Sequence, residues 1–172
     1  LIDDPETGLD RLLKAVQGPD FPTGGIVVDT QEQIREAYAT GRGSLVLRSK
    51  THVEEIRKDR DAIVVTEVPY QINKGRALER IGELVRERRL EGIAEVRDES
   101  DRQGTRVVIE LRREADPDIV LNQLFRHTAL QVSFGVNLVA LAGGRPAQLG
   151  LVDVLRAFLE FREEVIARRS AY

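Results

Sequence analysis

Apolar positions along the chain switch repeatedly between a spacing of three to four and a spacing of two, the periods of a helix and of a half-buried strand. Leu9, Leu12, Leu13 and Val16 fall at i, i+3, i+4 and i+7, so a short amphipathic helix is expected first. GPDFPTGG (18–25) stops it, because two prolines and three glycines in eight residues cannot continue a helix. Ile26 to Val28 predicts a short strand. Asp29 or Thr30 then caps a helix that buries Ile34, Ala37 and Tyr38, and TGRG (40–43) ends it.

Strand spacing takes over next. Leu45 and Leu47 alternate with Val46 and Arg48, Val53 and Ile56 follow, a polar KDRD turn covers 58–61, and Ala62 to Val68 is a further apolar run. This predicts strand, hairpin, strand. Asn73 is placed to cap a helix over 74–90, with Leu78, Ile81 and Val85 in one stripe, Leu84 beside it and Gly92 as its stop. Ile93 to Arg97 and Thr105 to Leu111 predict two strands joined across DESDRQG (98–104). Asp116 before Pro117 marks a helix start, with Ile119, Val120, Leu124 and Phe125 as its buried side. Val132, Phe134, Val136, Leu138 and Ala140 alternate, which favours an extended segment ended by GGRP (143–146). Last, Val154, Phe158, Phe161, Val165, Arg168 and Tyr172 are spaced 4, 3, 4, 3, 4, a heptad-like seam broken by an arginine. Leu151, Leu155, Leu159 and Ile166 widen that face. Roughly 22 residues at ~1.5 Å each make a rod of ~33 Å. The pattern predicts an α+β fold: a mainly antiparallel sheet flanked by helices, with a long C-terminal helix that begins a coiled coil.

Composition narrows the function classes. With 172 residues, 41% apolar and 32% charged, the chain has enough material for a core. It has no cysteine, which removes disulfides, thiol nucleophiles and cysteine metal sites. It also has no methionine and starts at Leu1, so an excerpt of a longer chain is expected. The last helix meets no glycine, proline or cap before Tyr172, which suggests the same at the other end. No apolar run reaches the ~18 residues of a membrane span, so no membrane partner is expected. Net charge is −3, against a nucleic-acid partner at first sight. Residues 1–41 hold 3 basic and 8 acidic side chains, a net of −5, and residues 42–172 hold 23 and 21, a net of +2. The body is therefore mildly basic.

The chemistry-bearing motifs are mostly missing. No GxxxxGK, GxGxxG or GxSxG pattern is present. His52 and His127 lie 75 positions apart without ligand-spaced partners and read as ordinary strand and helix residues. Asp98, Glu99 and Asp101 match no calcium loop and read as a solvated turn. Tyr38, Tyr70 and Tyr172 have no base nearby to activate them. No catalytic residue and no metal site is expected. The basic residues are grouped instead: Arg42, Arg48 and Lys50; Arg57, Lys58 and Arg60 on a hairpin; Lys74, Arg76 and Arg80 at a helix start, where amides favour anions; Arg86, Arg88 and Arg89 at its end, where they offset the dipole. The first and third groups are the candidates for phosphate contact.

Seven strings, in order along almost the whole chain, carry a resemblance: GPDFPTGG (18–25), TGRGS (40–44), EVPYQINK (67–74), RDESDRQGTRVVIEL (97–111), LNQLF (121–125), LQVSFGVNLVAL (130–141) and FREEVIARR (161–169). They resemble the A subunits of the bacterial type IIA topoisomerases, DNA gyrase most closely and topoisomerase IV less so. The resemblance implies a lead-in from a winged-helix domain over 1–24, an α/β tower domain over 25–148, and the start of a coiled-coil arm over 149–172. It implies a noncatalytic part of the breakage–reunion core, because the family's catalytic tyrosine lies on the winged-helix domain and nothing here matches its motif. The parent activity would be ATP-dependent negative supercoiling by double-strand passage. Mg²⁺ and ATP would belong to the B subunit, leaving this stretch without a cofactor. Implied partners are double-stranded DNA, the gyrase B subunit and a second A subunit in an A2B2 assembly, in the bacterial cytoplasm with the nucleoid. The backbone contacts expected from charge and placement are Arg42, Arg48, Lys50, Lys74 and Arg76, and the coiled-coil seam is Val154, Phe158, Phe161 and Val165. The alternatives are the same region of topoisomerase IV and a self-contained module that binds a partner helix through its last helix.

Overall fold

The computed structural model describes residues 1–57 and 60–172. Lys58 and the first half of the expected KDRD turn lie outside the described residues. The elements run α1 (Leu9–Leu12), β1 (Ile26–Val27), α2 (Gln31–Thr40), β2 (Arg42–Arg48), β3 (Lys50–Arg57), β4 (Arg60–Glu67), α3 (Lys74–Arg86), β5 (Ile93–Asp98), β6 (Val107–Leu111), α4 (Pro117–His127), β7 (Gln131–Asn137), β8 (Val139–Ala142), β9 (Arg145–Gln148) and α5 (Leu151–Ser170). The strands form a three-stranded sheet β1-β2-β7, a four-stranded sheet β3-β4-β6-β5 and the hairpin β8-β9. This is the expected α+β class, with antiparallel pairing, flanking helices and a long C-terminal helix.

The chain divides into two compact units. One comprises residues 20–28 and 46–133 and holds the four-stranded sheet. On one face of that sheet Ile63, Val65, Val107, Ile109 and Leu111 pack with Ile81 and Leu84 of α3 and with Leu124 and Phe125 of α4. Asn73 starts α3 by accepting the Arg76 N–H at 3.0 Å, and Asp116 starts α4 by accepting the Asp118 and Ile119 N–H groups. The other face explains why β4 and β6 are buried on both sides. Register places His52, Val64, Val108 and Arg97 in one row across the four strands, and Glu54, Ala62, Glu110 and Glu95 in the next. Ala62, Val64 and Val108 are nearly inaccessible, and only 7% of Glu110 is exposed. Long charged side chains at the row ends flank this apolar strip, an arrangement in which aliphatic stems cover carbon while charged heads stay wet.

The other unit comprises residues 1–19, 29–45 and 134–172. Thr30 and Gln33 form a capping box at the start of α2, which buries Ile34, Ala37 and Tyr38 as expected. Gly41 ends α2 in the left-handed region at φ 71°. A Cβ there would overlap the Leu149 carbonyl, and a Cβ on Gly150 would overlap the Ala39 carbonyl, so the end of α2 meets the start of α5 backbone on backbone. The Leu138 N–H donates to the Gly41 carbonyl at 2.7 Å, and the Leu149 N–H donates to the Leu138 carbonyl at 3.0 Å.

Four expectations are corrected. The first helix is one turn, Leu9–Leu12, because Gly8 supplies no side-chain cap and the helix buries nothing. Helix α3 stops at Arg86 rather than near Leu90: Arg88 turns left-handed at φ 58°, and the Arg89 and Leu90 N–H groups both return to the Leu84 carbonyl. GGRP does not end the extended segment but reverses it, since Gly143 and Gly144 both have positive φ and join β8 to β9. Ile119, expected on the buried side of α4, is 58% exposed, and Val120 takes the inner position.

Candidate nucleic-acid interface

The five basic residues expected at phosphates have different surroundings. Arg48 is half-buried near the end of β2: its Nε donates to Gln131 Oε1 at 2.8 Å, and its guanidinium carbon lies 4.4 Å from the centroid of the Phe125 ring. That is a cation–π contact inside one unit, and it gives the side chain a packing role. Lys50 pairs with Glu67 at 3.2 Å, and Lys74 pairs with Asp98 at 2.8 Å. Arg42 and Arg76 are exposed, and among the described residues no carboxylate pairs with either guanidinium. Their backbone groups are used locally, at the Thr40 hydroxyl for Arg42 and at the Asn73 cap for Arg76. Arg42 belongs to one compact unit and the other four to the second. Lys74 and Arg76 open α3, a helix with no acidic residue in its first turn.

The seam residues are equally plain. Nothing in α5 is buried: Val154 and Val165 are half-buried, Phe158 is 56% exposed and Phe161 is 57% exposed. Phe161 lines a groove with Leu141, Ala142, Gly143 and Gly144 of the β8–β9 hairpin.

The acid-rich turn is fully engaged. Asp98 accepts from Lys74 and from Ser100, Asp101 accepts from the Gln103 N–H at 2.7 Å, and Glu99 pairs with Arg97 and Arg106. Among the described residues no group of three His, Asp or Glu side chains is arranged to hold a metal ion. Glu99 is also one link in a continuous polar chain: a His52–Glu54 hydrogen bond at 2.7 Å, then ion pairs Glu54–Arg106 at 2.7 Å, Arg106–Glu99 at 3.3 Å, Glu99–Arg97 at 3.2 Å and Arg97–Glu110 at 2.6 Å. This chain spans the four-stranded sheet and was not visible in the sequence, because it depends on strand register. Glu67 was hidden in the same way: its carboxylate accepts the Gly25 N–H at 2.6 Å and so holds the GPDFPTGG loop to the end of β4. Phe21 and Tyr70, with ring centroids 5.7 Å apart, hold the same loop.

These partners set the acid response. Hydrogen bonds from Arg106 and then His52 lower Glu54 from 4.5 to about 2, and Lys74 and Ser100 lower Asp98 from 3.8 to about 2. The Gly25 N–H, followed by Lys50, lowers Glu67. A carboxyl held below its unfolded value stabilises the fold above that value and loses the effect as pH falls through the folded one. Thermal stability is therefore expected to fall from about pH 4.5 toward about pH 2, most steeply midway between the unfolded and folded values and levelling off near the bottom. Glu54→Gln and Asp98→Asn should each flatten that fall. Melting temperatures across the range check this, and curves parallel to the unsubstituted protein would show that neither pair contributes.

Fold and surface together describe an α+β scaffold with an ion-paired sheet, unneutralised arginines and an uncovered helix. The chain belongs to the DNA gyrase/topoisomerase IV A-subunit family, whose profile matches residues 1–172. Among its relatives are the DNA gyrase A subunit of Granulibacter bethesdensis, 54% identical over 172 residues, and that of Neisseria gonorrhoeae, 51% identical over 174. A probable chloroplastic/mitochondrial DNA gyrase A subunit of Oryza sativa subsp. japonica is 55% identical over 174 residues. Each alignment covers 100% of this chain but only 18 to 19% of the relative, so the chain spans about a fifth of their length. Among the described residues no helix is long and apolar enough to cross a membrane.

Proposed function

We propose that residues 25–148 form the tower of a gyrase A breakage–reunion core, that 149–172 open its coiled-coil arm, and that 1–24 lead in from a winged-helix domain. In this reading the stretch carries no catalytic tyrosine. It holds the backbone of the cleaved duplex without reading bases and links the DNA gate to the exit gate. The parent enzyme is an ATP-dependent, supercoiling topoisomerase with two A and two B subunits, located with the nucleoid in the bacterial cytoplasm. Mg²⁺ and ATP are bound by its B subunit. The observation that carries the reading is the family match along all 172 residues. Arg42 and Arg76, with no carboxylate partner among the described residues, are the two phosphate contacts best supported by geometry. Arg48, Lys50 and Lys74 remain in the contact set as side chains that would first have to exchange an internal partner.

The chain mixed with a gyrase B subunit, Mg²⁺, ATP and supercoiled plasmid is expected to give neither relaxation nor a denaturant-trapped covalent adduct. An adduct would overturn the noncatalytic reading. Arg42→Ala with Arg76→Ala is expected to lower the slope of log affinity for duplex DNA against log salt by about two, one for each lost phosphate contact. An unchanged slope, measured by fluorescence anisotropy, would remove both residues from the interface.

A further inference from the structure

The four-stranded sheet ends at β5, and among the described residues no strand pairs with the outer side of β5. The Glu99 N–H donates to the Arg106 carbonyl at 2.8 Å, one step beyond the Asp98–Val107 pair of the β5–β6 register. Hydrogen-bonded and non-bonded pairs alternate along an antiparallel ladder. Arg97 and Glu95 therefore bond to β6, whereas Val96 and Asp98 turn their N–H and C=O groups outward, where no backbone partner meets them among the described residues. Helix α3 runs beside this edge and makes a groove of about 570 Å³ with it. Leu78, Gly82 and Val85 form the helix wall, and Ala94 and Val96 form the strand wall. Leu78, Val85 and Val96 are only half-buried, so apolar carbon lies open beside unpaired backbone. Gly82 has no structural reason to be glycine: its φ is not positive, and a Cβ there would meet nothing within 4 Å. Glycine weakens a helix interior, and here it leaves the groove wide.

We propose that this edge takes up an extended protein segment, in which small apolar residues alternate with lysine or arginine, as a further strand beside β5. Main-chain hydrogen bonds to Val96 and Asp98 hold the segment in register, and its apolar side chains enter the space over Gly82 between Leu78 and Val85. Charge selects a basic segment: Glu79, Glu95 and Asp98 line the groove against Arg86 alone. Arg97 pairs with Glu95 and Lys74 with Asp98, whereas Glu79 has no cationic partner among the described residues. The same carboxylates repel phosphate, which sets this surface apart from a nucleic-acid contact. The bulge between Ile93 and Glu95 confines regular pairing to the stretch from Glu95 to Asp98, so the edge suits a short strand rather than a whole second sheet. None of these observations depends on the gyrase A reading.

The test is anisotropy of a fluorescein-labelled peptide of alternating valine and lysine, titrated with the full chain. Gly82→Leu, which fills the groove, is expected to weaken binding about tenfold or more. Its far-UV circular dichroism melt should be no lower than that of the unsubstituted protein, because leucine is a better helix former than glycine. Glu79→Lys should also weaken binding and reduce its loss with added salt. The same peptide N-methylated at every residue should not bind, because it has no donors for the ladder. Four results would overturn the site. Absence of binding at millimolar peptide removes it. Equal binding of a peptide of alternating valine and glutamate shows that the acidic lining selects nothing. Unchanged affinity in Gly82→Leu puts the peptide elsewhere on the chain. Sedimentation that shows a dimer of the chain, dissociated by Gly82→Leu but not by the peptide, assigns the edge to a second copy.

Discussion

Gly41→Val is expected to destabilise the unit built from residues 1–19, 29–45 and 134–172 by about 2–5 kcal/mol, the sum of a left-handed backbone penalty and an overpacking penalty. Gly41 sits at φ 71°, where a β-branched residue is a true outlier. Its missing side chain also leaves the room in which the Leu149 carbonyl lies. Both faults act at once, and neither can relax alone, because the Leu138 N–H holds the Gly41 carbonyl and the Leu138 carbonyl holds the Leu149 N–H. Gly82, in the middle of α3, is the control. It has helical φ and nothing within 4 Å of a built Cβ, so Gly82→Ala should raise stability by about 0.5–1 kcal/mol. The chain has no tryptophan, so urea unfolding is best followed by far-UV circular dichroism. A Gly41→Val variant as stable as its parent would mean that α2 and α5 do not meet backbone to backbone.

That glycine also shows where the sequence stops informing. TGRG reads as a helix stop, and the stop is there, because a left-handed glycine after an amphipathic run is a local signal. What Gly41 packs against lies more than a hundred residues away and has no local signature. The same division holds elsewhere. Asn73 and Asp116 work as caps, and Leu45 and Leu47 are buried as their alternation requires, because each of these depends on neighbours in sequence. The end of α3 is missed because a non-glycine residue, Arg88, takes the left-handed position. Ile119 is missed because periodicity fixes an apolar stripe only to within about one residue on its flank, and Val120 wins the inner place. For the candidate interface, charge grouping points to five residues but says nothing about internal partners. Register and packing then draw Arg48 onto Phe125, Lys50 onto Glu67 and Lys74 onto Asp98.

Leu124→Ala is expected to cost about 2–5 kcal/mol, whereas Phe158→Asp, a more drastic change on paper, should move stability by no more than about 0.5 kcal/mol. Leu124 is fully buried among Ile63, Ile109 and Ile81, where α4 closes over the four-stranded sheet. Truncation there loses the transfer energy of three carbons and leaves a cavity that β4 and β6, packed on both faces, are poorly placed to fill. Phe158 is 56% exposed on a helix that buries no residue of its own, so the chain already solvates most of the ring. A 20-residue helix with this much apolar surface in water is marginal by itself, and in the coiled-coil reading proposed above the Val154, Phe158, Phe161, Val165 seam is the surface that a further helix would cover. The two variants therefore separate core from seam. Urea midpoints by circular dichroism should fall for Leu124→Ala and stay for Phe158→Asp. In a gyrase A protein that carries the complete arm the order should reverse in function, with Phe158→Asp now impairing strand passage. A Phe158→Asp melt that falls as far as the Leu124→Ala melt would show that the seam is already covered within these 172 residues.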